Sequence, residues 1–218
     1  MSKLSYPEAV FPDVDVVLID SLTIKGDAFS DYPDAHDEVV SFHRAHGGVN
    51  RNEKIAALHL MIVGRAPTER ELADRITCFS VAVVQGVMEA PEIPGAGAAV
   101  AEWFEESTLY AVSATPTDEL RSIFDKRDLT QYCRCILGRP PDKGLSIQEV
   151  ITAQGRIPTS CILVRDSFED LQAATITGVQ FIQVCSCSAS KFIESSAVID
   201  NLHDLSNANR LVMTNPPQ

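Results

Sequence analysis

Phe11-Pro12-Asp13-Val14-Asp15-Val16-Val17 and Ile162-Leu163-Val164-Arg165-Asp166-Ser167-Phe168-Glu169-Asp170 lie far apart in the chain and share one design. In each, an apolar strand runs straight into paired carboxylates. Two aspartates spaced i, i+2 just past one strand, joined by two from another strand end, make a compact oxygen cage. Such a cage suits a hard divalent cation such as Mg²⁺ and, through it, phosphate chemistry. Asp13, Asp15, Asp166 and Asp170 are therefore the candidate ligands.

Working outward, the chain changes its period. Ala9–Phe11 reads as a short strand. From about Leu22 to Met88 the pattern is helical, from Phe29 onward and then through Glu38–His43, Glu53–Ile62 and Glu69–Val87. Ala90-Pro91-Glu92-Ile93-Pro94-Gly95 reads as a hinge, since two prolines deny regular hydrogen bonding and a glycine frees the next helix to start. Beyond it, strands at Thr108–Val112, Cys133–Leu137, Ser160–Val164 and Gln180–Val184 alternate with helical patterns at Ala96–Glu105, Pro116–Asp125, Ser146–Ala153, Phe168–Ile176 and Lys191–Ser196. Arg210–Met213 reads as a late strand, and the last residues, 213–218, as a frayed tail.

This alternation predicts an α/β fold, a doubly wound parallel sheet of Rossmann-like form. The chain begins the sheet, leaves it for a helical insertion and returns to finish it. The expected division is residues 1–21 for the first core segment, 22–92 for an all-helical cap and 93–218 for the rest of the core. The cap is expected over the crevice at the strands' carboxyl ends, where open α/β sheets bind ligands.

Composition narrows the function classes. Eighteen Lys plus Arg against thirty Asp plus Glu give the 218-residue chain a net charge of −12, a field that repels nucleic-acid backbones and anionic lipid surfaces. The first residues carry no apolar run like a signal peptide, and nowhere does the chain hold an apolar stretch long enough to span a bilayer. A cytoplasmic protein without a nucleic-acid or membrane partner is expected. Cys78, Cys133, Cys135, Cys161, Cys185 and Cys187 include two C-x-C pairs whose spacing suits small buried side chains on one strand face rather than zinc or a disulfide. Free thiols are the expectation. His36, His43, His46, His59 and His203 show no metal spacing and read as structural or surface residues.

With these residues in place, the chain resembles the haloacid dehalogenase-like hydrolase superfamily, in the helical-cap group of phosphoglycolate phosphatase and β-phosphoglucomutase relatives. Asp13-Val14-Asp15-Val16-Val17, continuing through Leu18-Ile19-Asp20-Ser21, is similar to that family's first motif, D-x-D-G-[TV]. Val112-Ser113-Ala114-Thr115-Pro116 resembles the second, a Ser or Thr closing a strand. Lys143, in Gly138-Arg139-Pro140-Pro141-Asp142-Lys143, resembles the third. Arg165-Asp166-Ser167-Phe168-Glu169-Asp170, followed by Ala173-Ala174 and Gly178-Val179, resembles the fourth, G-D-S-x-x-D. The four fragments occur in the family's order over nearly the whole chain.

The resemblance implies a phosphatase acting on a small phosphorylated metabolite. Asp13 would attack phosphorus and form an aspartyl-phosphate. Asp15 would serve as general acid and then base, its proton affinity raised by the neighbouring aspartates. Mg²⁺ would be held by Asp13, the Asp15 carbonyl and Asp166, with Asp170 as a further ligand or support. Ser113 and the adjacent amide of Ala114 would hold phosphoryl oxygens, and Lys143 would neutralise the nucleophile and the phosphate. In the cap, Arg51 and Lys54 lie i, i+3 on one helix face and could meet an anionic or hydroxyl-rich substrate. The alternative is an ordinary solvated charged face. Asp166 and Asp170 equally suit a helix start, and Ser113 could simply cap a helix opening at Pro116.

Three departures from the family pattern bear on activity. Val16 stands in place of glycine, where a β-branched residue tolerates positive φ poorly. Pro12 removes a ladder donor from what should be a central strand. Arg165 replaces the glycine before Asp166, and strand alternation is expected to aim it away from the carboxylates. They favour a weakened or inactive binding or regulatory protein on the same scaffold as the alternative to the phosphatase. A phosphomutase, which uses the same aspartate pair, is a further alternative. The second aspartate argues against carbon–halogen or carbon–phosphorus hydrolysis.

Overall fold

A computed structural model of the chain describes residues 6–28, 35–46, 49–185, 191–192 and 195–214. It divides into two compact units, Met1–Ile19 with Pro91–Gln218, and Asp20–Ala90. The first is an α/β unit with a six-stranded sheet in the order β3-β2-β1-β4-β5-β6. Its strands are β1 (Ala9–Pro12), β2 (Thr108–Pro116), β3 (Cys133–Arg139), β4 (Cys161–Arg165), β5 (Gln180–Val184) and β6 (Ala197–Ile199), and every pairing is parallel. The second unit holds α1 (Leu22–Ala28), α2 (His36–Ala45), α3 (Arg51–Val63) and α4 (Glu69–Glu89). The first carries α5 (Ala96–Glu106), α6 (Thr117–Lys126), α7 (Lys143–Ala153), α8 (Phe168–Thr177) and α9 (Leu205–Thr214). No described helix is long and apolar enough to cross a membrane.

Burial explains the sheet. Strands β1, β4 and β5 are buried at every residue, as expected for central parallel strands covered on both faces. Phe11, Tyr110, Leu163 and Phe181 from four neighbouring strands pack with Ile147, Ile151, Leu171 and Ala174 of α7 and α8 into one core cluster. Phe11 stacks on Tyr110 with ring centroids 5.3 Å apart. After β1 the sheet grows first toward β2 and β3, then on the other side toward β4. The carboxyl ends of β1 and β4 thus flank the point where the winding reverses, the usual place for a ligand in such sheets.

Several expectations are corrected here. Lys191, Phe192, Ser195 and Ser196 are not helical, and the strand that completes this edge is β6. Arg210–Met213 belongs to α9, whose buried Leu205, Ala208, Asn209 and Val212 follow the helical i, i+3, i+4, i+7 spacing. Read alone, a short apolar run there did not separate strand from helix. Met213 and Thr214 close α9 rather than fray; Asn215–Gln218, like Phe29, Gly47, Gly48 and Cys187, lie outside the described residues. Cys133 is half-buried and Cys135 exposed, because β3 is the sheet's edge strand.

The hinge is also more regular than two prolines suggested. Ile19 bridges Glu92 in antiparallel sense, and the Ile93 N–H donates to the Leu18 carbonyl at 3.0 Å. Gly95 then opens α5 with φ of 88°. A Cβ there would stand 2.6 Å from the His203 nitrogen and 2.8 Å from the Leu202 carbonyl carbon, so glycine is required by space as well as by backbone angle. The Leu202 N–H donates to the Pro94 carbonyl at 3.1 Å.

Candidate active site

The carboxyl ends of β1, β2 and β4 and the starts of α7 and α8 bring charged side chains together. Asp13 follows β1 directly; its N–H donates to the Val164 carbonyl of β4 at 2.9 Å, and its Oδ1 accepts from the Val14 N–H at 2.8 Å. Pro12 costs no ladder bond. Alternate amides of a parallel strand face alternate neighbours, and with Asp13 facing β4 the Pro12 position faces β2, where pairing ends at Val10–Leu109.

Lys143 is the first residue of α7, positioned by the Asp142 side chain that caps this helix on the Leu145 N–H. It is 8% exposed, and its Nζ donates to Asp13 Oδ2 at 2.7 Å and to Asp170 Oδ1 at 2.9 Å. Asp170 lies in the first turn of α8. Its N–H donates to Ser167 Oγ at 3.3 Å, and the same hydroxyl donates to Asp170 Oδ2 at 2.5 Å, so the helix cap also orients the carboxylate. Asp166 sits between β4 and α8. One oxygen each from Asp13, Asp166 and Asp170 lies within 4.8 Å of the others.

Arg165 corrects a prediction. Phe11 pairs with Leu163 and Pro12 with Val164, so continuing the register sets Asp13 opposite Arg165 on the same sheet face. The arginine therefore points toward the carboxylates, not away. It is wholly buried; its Nε donates to the Phe11 carbonyl at 3.2 Å, and Nη1 lies 3.0 Å from Asp13 Oδ2 and 3.7 Å from Asp170 Oδ1. Neither Nη1 nor Nη2 has a hydrogen bond of good geometry, so charge rather than directed bonding holds the guanidinium there.

The electrostatics follow from this packing. Burial pushes the Asp13 carboxyl up, but Lys143 and Arg165 outweigh it and hold the group below the usual carboxylate range. Burial opposes the charge on Lys143, while Asp13 and Asp170 raise its pKa above the ordinary lysine value. Asp166 goes the other way, pushed up to about 7 by burial and then by the charges of Asp13 and Asp170. Among the described residues no cation lies within ion-pairing distance of Asp166. Three clustered carboxylates, one of them lacking a counter-charge, fit a hard divalent cation; Lys143 and Arg165 offset part of the negative field such an ion would meet.

The remaining predicted residues fall as follows. Asp15 is half-buried, its carboxylate outside the cluster of Asp13, Asp166 and Asp170, and its Oδ2 accepts from Thr115 Oγ1 at 3.4 Å. Ser113 is buried and its Oγ accepts from the Thr115 N–H at 3.1 Å; it caps a local turn, not the start of α6. A register shift between Val112 and Pro116 against Leu137–Arg139 takes Ser113, Ala114 and Thr115 out of the regular ladder. Gly138 allows it, since a Cβ there would come within 2.5 Å of the Thr115 carbonyl and the Thr117 nitrogen. In the helical unit Arg51 donates to Ser80 Oγ at 2.6 Å and lies over the Phe79 ring, while Lys54 is 4% exposed with Nζ 3.4 Å from His43 Nδ1. Neither forms the solvated charged face weighed above.

Sequence reasoning missed Thr115 and misdirected Arg165. Thr115 was findable, because Ser113 and Thr115 share one face of an extended segment. Arg165 required the β1–β4 register, which no local pattern supplies.

The parallel sheet with a helical insertion after β1 is a fold that this chain shares with solved haloacid dehalogenase-like proteins. CbbY from Rhodobacter sphaeroides, solved with phosphate, superposes at a TM-score of 0.75 with 18% identity over 91% of this chain and 96% of its own. A haloacid dehalogenase-like hydrolase from Streptococcus pneumoniae gives 0.74 and 17% over 93% and 98%. L-2-haloacid dehalogenase from Xanthobacter autotrophicus gives 0.68 and 17% over 94% and 98%. No family model and no curated protein sequence matches the chain.

Proposed function

We infer that this chain is a phosphatase of a small phosphorylated metabolite, with Asp13 as nucleophile and Asp15 as general acid and base. The observation that carries the reading is the buried Lys143 ammonium joining Asp13 to Asp170 beside Asp166, at the end of the sheet where ligands bind. Lys143 and Arg165 keep Asp13 ionised, as a phosphoryl acceptor must be. Thr115 steers the Asp15 carboxylate, which would protonate the leaving oxygen and later take a proton from the attacking water. The Ala114 amide, in the turn that Ser113 Oγ fixes by accepting from the Thr115 N–H, would hold a phosphoryl oxygen together with Lys143. Asp13, Asp166 and Asp170, with the Asp15 carbonyl, would hold Mg²⁺. When bound, the ion would offset charge on the transferring phosphoryl group. The unit Asp20–Ala90 would act as the cap that excludes water. CbbY, which shares the fold, has been solved with phosphate and with xylulose-(1,5)bisphosphate, in keeping with a phosphorylated substrate here.

One observation favours a second reading. Asp13 Oδ2 already meets both Lys143 and Arg165, which lowers its nucleophilicity and favours a weakened enzyme or a binding protein. Hydrolysis of an aryl phosphate and a panel of sugar and organic-acid phosphates, with and without Mg²⁺, decides between them. Turnover that falls by at least about 10²-fold in Asp15→Asn supports the phosphatase. A folded protein with no turnover across the panel removes it, and interconversion of sugar phosphates without phosphate release identifies a mutase. Asp13→Asn is a poorer test, because it leaves two buried cations facing a lost charge, at a cost of about 3–5 kcal/mol in stability.

A further inference from the structure

A fully buried arginine inside a cluster of carboxylates is unusual, and its position is specific. Its Nη1 is 3.0 Å from Asp13 Oδ2 and 3.7 Å from Asp170 Oδ1, the two oxygens that Lys143 also holds. Asp13 and Asp170 thus face two cations, and of the five groups only Asp166 is left without a partner charge. Carboxylates this close repel strongly unless cations intervene. In the metal-free protein that condition is met from within the chain.

We propose that Arg165 is a resident cation of the site. Its guanidinium supplies part of the neutralisation that a divalent ion would otherwise give, keeps Asp13 and Asp170 assembled without metal, and weakens Mg²⁺ binding. The orphaned Nη groups agree with a role carried by charge and not by a hydrogen-bond network. Geometry selects this residue: the Phe11–Leu163 register brings position 165 onto the Asp13 face, and the Phe11 carbonyl anchors Nε. The inference rests on the phosphatase reading for the choice of ion alone.

Mg²⁺ is titrated calorimetrically, without substrate, into wild type, Arg165→Met and Arg165→Lys, and each is melted in EDTA and in Mg²⁺. Arg165→Met, neutral and of similar length, is expected to bind Mg²⁺ at least about tenfold more tightly than wild type. Its melting temperature should fall in EDTA and recover in Mg²⁺, whereas wild type should shift little between the two and Arg165→Lys should follow wild type. A purely packing role would lower the melting temperature of Arg165→Met equally in both conditions, and that outcome overturns the proposal. Unchanged Mg²⁺ affinity in Arg165→Met overturns it too. Should Arg165→Met not fold in either condition, wild type still decides: a wild-type protein that unfolds when stripped of metal refutes a resident cation, and one that stays folded supports it. Absence of phosphatase turnover leaves these readouts untouched, so the two readings fail separately.

Discussion

At Val16 the backbone is left-handed, with φ of 64°, immediately after the Asp15 carboxylate. A β-branched side chain is strained there by about 1–3 kcal/mol. The turn is fixed from both sides, since the Val16 N–H donates to the Ile19 carbonyl at 2.8 Å and Asp15 bridges Ile19. Val16→Gly should relieve the strain and, after the added backbone entropy of glycine, stabilise the protein by about 1 kcal/mol in urea melts. A destabilised variant would show that the valine side chain contributes packing that outweighs its angle. The sequence made the substitution visible, and the turn geometry gives it a cost. For Arg165 the sequence showed the residue but not its aim, because the register between β1 and β4 fixes that aim.

Among the elements, α4 shows how a helix start can be read directly from residues. Thr68 caps it on the Glu71 N–H at 3.3 Å, and the Glu71 side chain accepts from the Thr68 N–H at 2.8 Å, a reciprocal capping box. Thr68→Ala should cost about 1 kcal/mol in stability. Arg65, and then the Thr68 backbone and hydroxyl, hold the Glu71 carboxyl well below its ordinary range. A carboxylate with a depressed folded-state pKa stabilises above its unfolded value, and that contribution disappears as pH falls through the folded value. Melts between pH 7 and pH 3 should therefore show wild type losing part of a stability that Glu71→Gln never had, the gap between the two curves narrowing without closing at pH 3. At the other extreme, β6 is too short for a periodic signal, and the apolar end of α9 imitates a strand until its buried spacing is known.

At the scale of the whole molecule, a charge of −12 means that the folded chain repels itself. Raising monovalent salt from about 0.02 M to 0.2 M shortens the Debye length to about 7 Å and should raise the melting temperature. A fall instead would mean that specific ion pairs outweigh the net repulsion. The parallel sheet and the three clustered aspartates Asp13, Asp166 and Asp170 were legible because period and strand-end carboxylates are local features; the place of Asp15 outside that cluster and the partners of Arg51, Lys54, Ser113 and Thr115 were not, because they depend on which residues become neighbours. The close approach of Gly95 to Leu202 and His203 has a further result. It latches the point of re-entry into the sheet to a segment more than a hundred positions downstream, so shortening the polypeptide before Leu202 would unfasten residues 93–95, and proteases should cut there first.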